Sequence, residues 1–347
     1  MLPKLISIGY AVPEQVVTQR EVFDTLKYPN PFWKLYRDSG IEKRHFWVPL
    51  SRIRQLSFQE QQEEYMKGAV ELSKKAALKC LDGRHPEAIK CLVFASCTGF
   101  APGPTIGHFL AKELSLFSDT YITNIASQGC EAGFPGIRRA FDFTLTSGKA
   151  SLVVTCELAS CSYFPEPDGK PDPENHYELL RSNAIFADAA TAGLVGYDDD
   201  PRHPYIIDSE TYTNTDYLYE LGYIWRDGRL RVLLSRGIPE LAAEVTGVAV
   251  SRLLERRSLR VKDIDHWVIH AAGGSVLDKI RDGLGLDESQ VALSRETLRL
   301  YGNTSSTSVG ITGKRLMLKE EEPKGYCLMV SVGPGMTGGA TLMSWQY

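Results

Sequence analysis

The chain has 347 residues, of which 43% are hydrophobic and 24% charged, with a net charge of −4. That length suits one large domain or two closely packed halves, and the charge gives no basis for a nucleic-acid or anionic-membrane partner. No run of about 18 apolar residues occurs, so no membrane span is expected.

In chain order, Met1–Tyr10 reads as an early strand. It lacks the basic start, apolar core and small-residue cleavage site of a secretory leader. The seven cysteines are scattered, mostly in apolar strand-like runs. They suit the reduced thiols of a cytoplasmic protein better than a disulfide framework. No Cys-x-x-Cys pair occurs, so a structural zinc site is not expected. A helical pattern over Tyr65–Cys80 leads through His85-Pro86-Glu87 to the apolar run Cys91–Ala95. A second helix over Phe134–Thr146 precedes the strand Leu152–Val154.

The plan then repeats. Glu244–Arg256 reads as a helix, Val261-Lys262-Asp263 as the turn and Trp267–Ile269 as the strand. Thr307–Lys319 is the next helix and Cys327–Met329 the next strand. Ile89 and Ile264 are 175 residues apart, and so are Lys149 and Lys324. Near-continuous apolar strands alternating with helices predict an α/β fold of mixed sheets covered by helices. The shared offset predicts a duplicated, layered architecture with pseudo-twofold symmetry. The halves are read as 1–200 and 201–347.

Under the same offset Cys130, in Ser-Gln-Gly-Cys-Glu-Ala-Gly-Phe (127–134), falls on Ser305. Asn303 lies two residues earlier, so the thiol and the amide sit in equivalent loops facing each other across the pseudo-axis. His270, in Val-Ile-His-Ala-Ala-Gly-Gly (268–274), falls near Ala95 at a strand end. The three are expected to converge in a cleft between the halves. Taken singly, each has an ordinary reading: an inert buried thiol, a satisfied core histidine, a turn asparagine. Together they suit nucleophilic acyl transfer, because a thiolate forms thioesters easily and a helix N-terminus and an imidazole lower its pKa.

With these motifs the chain resembles the thiolase-fold condensing enzymes, specifically the chalcone-synthase-like type III polyketide synthases, over nearly its whole length. Ser39–His45, Ser96–Phe100, Gln128–Gly133, Val154–Glu157, Ala184–Asp188, His270–Gly274, Tyr301–Asn303 and Gly333–Thr337 carry the likeness. Class III ketoacyl synthases share the Cys, His and Asn. Gly302–Ser306 and Thr337–Ala340 lean toward them, whereas the Gly-Pro-Gly loop and the sequence after His270 do not.

The resemblance implies a thiolase-like αβαβα fold and a homodimer. It further implies decarboxylative Claisen condensation of acyl-CoA with malonyl-CoA, needing no metal or redox cofactor because the coenzyme A thioesters are substrates. Cys130 would carry the acyl group. His270, as imidazolium, would hold the thiolate, and His270 with Asn303 would stabilise the enolate. Phe186 and Trp225 match the two gatekeeper positions, Trp225 replacing the usual Phe. Ser162, Ser182 and Cys97 fall at positions lining the substrate cavity. Lys34 and Arg37 lie near the basic entrance for coenzyme A, but Asp38 stands where a cation is common. An acyl carrier protein therefore remains an alternative donor. Ala187, Ala189 and Ala271 also depart from the family pattern. The rival readings are a ketoacyl synthase III-like enzyme using carrier-protein substrates, a papain-like thiol hydrolase and a catalytically silent partner subunit. The hydrolase is disfavoured by the mid-chain position of Cys130 and the duplicated plan.

Overall fold

The computed structural model describes residues 1–99, 103–162, 177–226, 229–319 and 323–346. The first half runs through β1 (Lys4–Ala11), β2 (Val16–Thr18), α1 (Gln19–Leu26), α2 (Trp33–Arg37), β3 (Lys43–His45) and α3 (Phe58–Leu81). It continues with β4 (Ile89–Ser96), α4 (Ile106–Glu113), β5 (Tyr121–Ala126), α5 (Gly133–Ser147), β6 (Ala150–Leu158), α6 (Tyr177–Ile185) and β7 (Asp188–Gly196). The second half holds β8 (Tyr205–Thr213), the hairpin β9 (Leu221–Arg226) and β10 (Arg229–Leu234), α7 (Ile238–Arg256) and β11 (His266–Ile269). After these come α8 (Gly274–Leu284), α9 (Glu288–Tyr301), α10 (Ser308–Lys319), β12 (Tyr326–Gly333) and β13 (Thr337–Ser344).

The strands fall into two mixed groups of matching pattern. In the first, β4 runs parallel to β5 and β6, and β7 pairs antiparallel with β6 and β1. In the second, β11 runs parallel to β12, and β13 pairs antiparallel with β12 and β8. The expected separate sheets are hydrogen-bonded edge to edge into one nine-stranded sheet, through the pairing of Lys4 with Tyr205.

Alternation along the strands builds the layers. On β4, Leu92 and Phe94 face an outer core with Leu72 and Ala76 of α3, while Cys91 and Val93 face a central core. On β12, Leu328 and Val330 pack with Val245 and Leu253 of α7, while Cys327 and Met329 join the same central core. That central core also takes Phe134 and Phe141 of α5 and Val309 and Leu316 of α10. The two helices are therefore sandwiched between the strand groups, with α3 and α7 outside. The division expected at residue 200 falls in the connection between β7 and β8, and the central core draws on both sides of it.

The duplication holds in three dimensions. α3 ends at Leu81 and α7 at Arg256, and the 3-10 turns Pro86–Ala88 and Val261–Asp263 occupy equivalent places. Ser127 and Gly302, an equivalent pair, are both left-handed, as are Gly83 and Ser258. β5 has no strand counterpart. The equivalent stretch belongs to α9, whose reciprocal cap between Asp287 and Gln290 and buried Val291, Ser294 and Leu298 specify a helix.

Candidate active site

Cys130 sits in a 3-10 turn (Gly129–Glu131) that leads directly into α5. The turn requires glycine at 129. Its φ is +61°, and a Cβ there would stand 2.2 Å from Cδ of Pro334. The nucleophile loop is thus pressed against the Gly333-Pro334-Gly335 loop after β12. The Ser331 hydroxyl donates to the Cys130 carbonyl at 3.0 Å.

The Ser305 hydroxyl donates to Cys130 Sγ at 3.2 Å. Cys130 and Ser305 are the two positions related by the internal offset, so the duplicated loops touch across the pseudo-axis. The backbone N–H of Ser305 donates to Asn303 Oδ1 at 2.8 Å, and Asn303 Nδ2 donates to the Ala272 carbonyl at 2.9 Å. These two bonds fix the amide's orientation and use only one of its two N–H donors. The second remains for a ligand. His270 follows β11, its backbone N–H donating to the Val330 carbonyl at 2.8 Å. Its Nδ1 is engaged by the Ser308 hydroxyl at the start of α10, which leaves Nε2 as the nitrogen available for chemistry.

Cys130, His270, Asn303 and Phe186 all line one cavity of about 520 Å³. The expected convergence is therefore met. Burial opposes the expected standing imidazolium. Burial pushes the His270 imidazole down to about 3 and the Cys130 thiol up to about 12, against the Ser305 hydrogen bond. Burial favours the neutral form of each group, and a net-neutral thiolate–imidazolium pair formed by proton transfer is penalised less than either charge alone.

The remaining sequence expectations divide. Phe186 lines the cavity, and its backbone bridges that of Asn303. Lys34 is also on the wall, beside Asp38. Arg37 is not. Its guanidinium points outward and is held by Asp38 at 2.7 Å. Ser162 and Ser182 do not line the cavity either. Their hydroxyls donate to nearby backbone carbonyls, of Thr98 at 2.7 Å and Leu179 at 2.9 Å. Cys97 is buried behind the nucleophile, 3.6 Å from Ser305 Oγ, and burial holds its thiol well above the ordinary range. The side chain of Trp225 and all of Phe100 lie outside the described residues.

Several functional neighbours went unread. Glu157, wholly buried at the end of β6, accepts from the Cys97 N–H at 3.0 Å and the Ser306 hydroxyl at 2.5 Å. It braces both loops around the nucleophile. A lone acid in an apolar strand was its signal. Arg181 on α6 lines the cavity, and Arg236 lies 4.6 Å from the ring of Tyr177, another wall residue. No spacing marked them. His266 and His270 stand four apart, but on a strand that separation is about 13 Å, so they form no pair. Among the described residues no cluster of three or more His, Cys, Asp or Glu could hold a metal. All seven cysteines are free thiols, and no described helix is long and apolar enough to cross a membrane.

Two family profiles cover most of the chain. Residues 49–199 match the chalcone and stilbene synthases, N-terminal domain, and residues 254–345 match the 3-oxoacyl-(acyl-carrier-protein) synthase III C terminal. A 1,3,6,8-tetrahydroxynaphthalene synthase of Streptomyces coelicolor is 28% identical, over 97% of this chain and 90% of its own. A 3,5-dihydroxyphenylacetyl-CoA synthase of Amycolatopsis orientalis is 26% identical, over 99% and 94%. The crystal structure of the Streptomyces coelicolor tetrahydroxynaphthalene synthase, a bacterial type III polyketide synthase, superposes with a TM-score of 0.89. It has 25% identity and covers 99% of both chains. PKS-I from the brown alga Ectocarpus siliculosus gives the same TM-score at 23% identity, covering 99% of this chain and 98% of its own.

The layered fold and the matched relatives together define an acyltransferase of the condensing-enzyme class, with Cys130, His270 and Asn303 in one cavity. The chain belongs to the chalcone-synthase-like type III polyketide synthases, within the thiolase-fold condensing enzymes and close to ketoacyl synthase III.

Proposed function

We propose that this chain builds a polyketide by decarboxylative Claisen condensation of an acyl-CoA with malonyl-CoA, through an acyl-Cys130 thioester. The observation that carries this is the shared cavity in which Cys130, His270 and the free N–H of the Asn303 amide meet. Proton transfer from Cys130 to His270 creates the thiolate. Its sulfur attacks the starter carbonyl, and the carrier thiol leaves with that proton. A malonyl thioester then enters. Its carboxylate departs as carbon dioxide, and the electron pair left behind forms an enolate. Its oxygen is held by an N–H of Asn303 and by Nε2–H of His270, in the neutral tautomer whose bare Nδ1 accepts from the Ser308 hydroxyl, a place where charge develops only during reaction. The enolate carbon attacks the acyl carbonyl, and Cys130 sulfur is expelled. No step requires a metal or redox cofactor.

The carrier's phosphates need cations at the entrance. Lys34 and Arg181 supply them, with Arg236 close by on the Tyr177 side. Arg37 is given no direct contact, since Asp38 engages it. The ketoacyl synthase III reading, with an acyl carrier protein as donor, is favoured by the C-terminal profile match.

One assay tests all of this. Malonyl-CoA is supplied with a panel of acyl-CoA starters, and again with carrier-protein donors, and products are read by mass spectrometry. Carbon dioxide release with two-carbon elongation from coenzyme A donors is expected. Elongation from carrier-protein donors alone would favour the ketoacyl synthase III reading. Free acid alone would mean a hydrolase, and no reaction a silent partner subunit.

The protein is further proposed to act as a cytoplasmic homodimer. β5 ends the sheet with an open edge, and Tyr121 at its start is 63% exposed against the ring of Phe143. An unpaired edge carrying large apolar groups calls for a cover. Light scattering is expected to give twice the chain mass, and a monomer at micromolar concentration would refute the assignment.

A further inference from the structure

Arg44 is the largest completely buried side chain among the described residues, and no step of the chemistry above uses it. It lies on β3, a three-residue strand paired with β2. Its Nη1 donates to two carbonyls, of Asn183 at 2.7 Å and Phe186 at 2.8 Å. The first closes the last turn of α6 and the second is the gatekeeper residue itself. Its guanidinium also stacks over Phe46, 5.1 Å from the ring. The opposing charge is Asp188, whose carboxylate is locked by the Trp47 N–H at 2.7 Å and the Ser160 N–H at 2.8 Å.

The stem of the same side chain supports the Asn303 loop. A Cβ on Gly302 would stand 2.8 Å from Arg44 Cγ and 2.9 Å from its Cδ. Gly302 holds a φ of +72° immediately before Asn303. The two supported segments are also laced to each other. The Asn303 N–H donates to the Ile185 carbonyl at 2.9 Å, and the Ala187 N–H to the Asn303 carbonyl at 2.9 Å. One side chain therefore grips the segment carrying Phe186 by its head and the turn carrying Asn303 by its stem. The Cys130 loop rests instead on Ser331, Ser305 and Pro334.

We infer that Arg44 is a positioning residue for the condensation half of the reaction. It sets the Asn303 amide and the Phe186 ring against Cys130 through the backbone, and it leaves the acylation half to other supports. Lysine cannot replace it. A single ammonium has no flat face to lay over Phe46, and its nitrogen hangs on Cε instead of standing at the Nη1 position that reaches both carbonyls. The inference rests on the role given to Asn303 above.

The test uses Arg44→Lys and Arg44→Met, which remove the guanidinium and keep a stem beneath Gly302, beside the unaltered protein. Acylation of Cys130 is followed by intact mass, and malonyl-CoA decarboxylation by carbon dioxide release with kcat and KM separated. Both variants are expected to acylate within about twofold of the parent rate. Their kcat for decarboxylation is expected to fall at least tenfold, with little change in KM. Equal loss of both steps in a folded variant would mean general structural support and overturn the inference, as would retention of both. If Arg44→Lys fails to fold, Arg44→Met carries the test, and if neither folds the inference falls. Failure of the unaltered protein to elongate would instead strike at the proposed function.

Discussion

Asn303→Ala is expected to accept an acyl group on Cys130 at close to the parent rate, yet to lose malonyl decarboxylation by about 10²–10³-fold. That is the range for removing one donor from a developing oxyanion. The split follows from geometry. In the proposed mechanism the thiol's proton goes to His270, and the Ser305 hydroxyl supports Cys130 sulfur, so thioester exchange needs no carboxamide. The enolate oxygen does, because the second N–H of Nδ2 is committed to nothing while the first is tied to Ala272. Cys130→Ala is the reference, taking up no acyl group at all. His270→Ala should lose both steps, because the imidazole is base in one and donor in the other. Intact mass measures the first step and carbon dioxide release the second. If Asn303→Ala slowed both in proportion, the residue would be a scaffold for Ser305, whose N–H it accepts, and the oxyanion assignment would fail.

The duplicated plan was legible because both halves bury strands on two faces, which leaves long apolar runs at a constant spacing. The meeting of Cys130 with the Asn303 loop was legible for the same reason, since the offset carries Cys130 onto Ser305 and brings Asn303 with it. What the sequence did not disclose depends on side-chain direction. Ser162 and Ser182 face backbone carbonyls instead of the cavity, and a short hydroxyl satisfies itself locally wherever a carbonyl is in reach. Arg37 is taken by its neighbour Asp38. Arg181 reaches the wall only because α6 packs beside β10, where its Nη1 donates to the carbonyls of Leu234 and Ser235. The missing counterpart of β5 was invisible to an offset argument, because a helix with its own caps replaces an edge strand at no cost to the core. Ionisation states were out of reach too, since burial and not residue type decides them at Cys130 and His270.

Glu131, next to the nucleophile, is where burial should show most clearly in stability. It is 1% exposed and packs against Phe134 and the glycines of β12 and β13, and its Oε1 has no hydrogen-bond partner among the described residues. A Cβ at Gly339 would stand 2.9 Å from that oxygen, so the carboxyl fills a slot that only glycine leaves open. Burial lifts its pKa from the ordinary 4.5 to about 8. Between those values the folded chain holds a proton that the unfolded chain has lost, so stability falls as pH rises through the window and levels off above it. The whole effect is roughly 3–5 kcal/mol. Asp188, lifted to about 6 by burial, adds a slope of the same sign at lower pH. Comparing the parent with Glu131→Gln cancels that contribution. The amide cannot ionise, so Glu131→Gln is expected to unfold at higher denaturant than the parent at pH 8–9 and to lose that advantage by pH 5. Parallel curves across this range would mean that Glu131 titrates normally and that its slot admits water. An ionised carboxylate beside Cys130 also opposes the thiolate. The same substitution should therefore preserve acylation at pH 9, where the parent has begun to lose it.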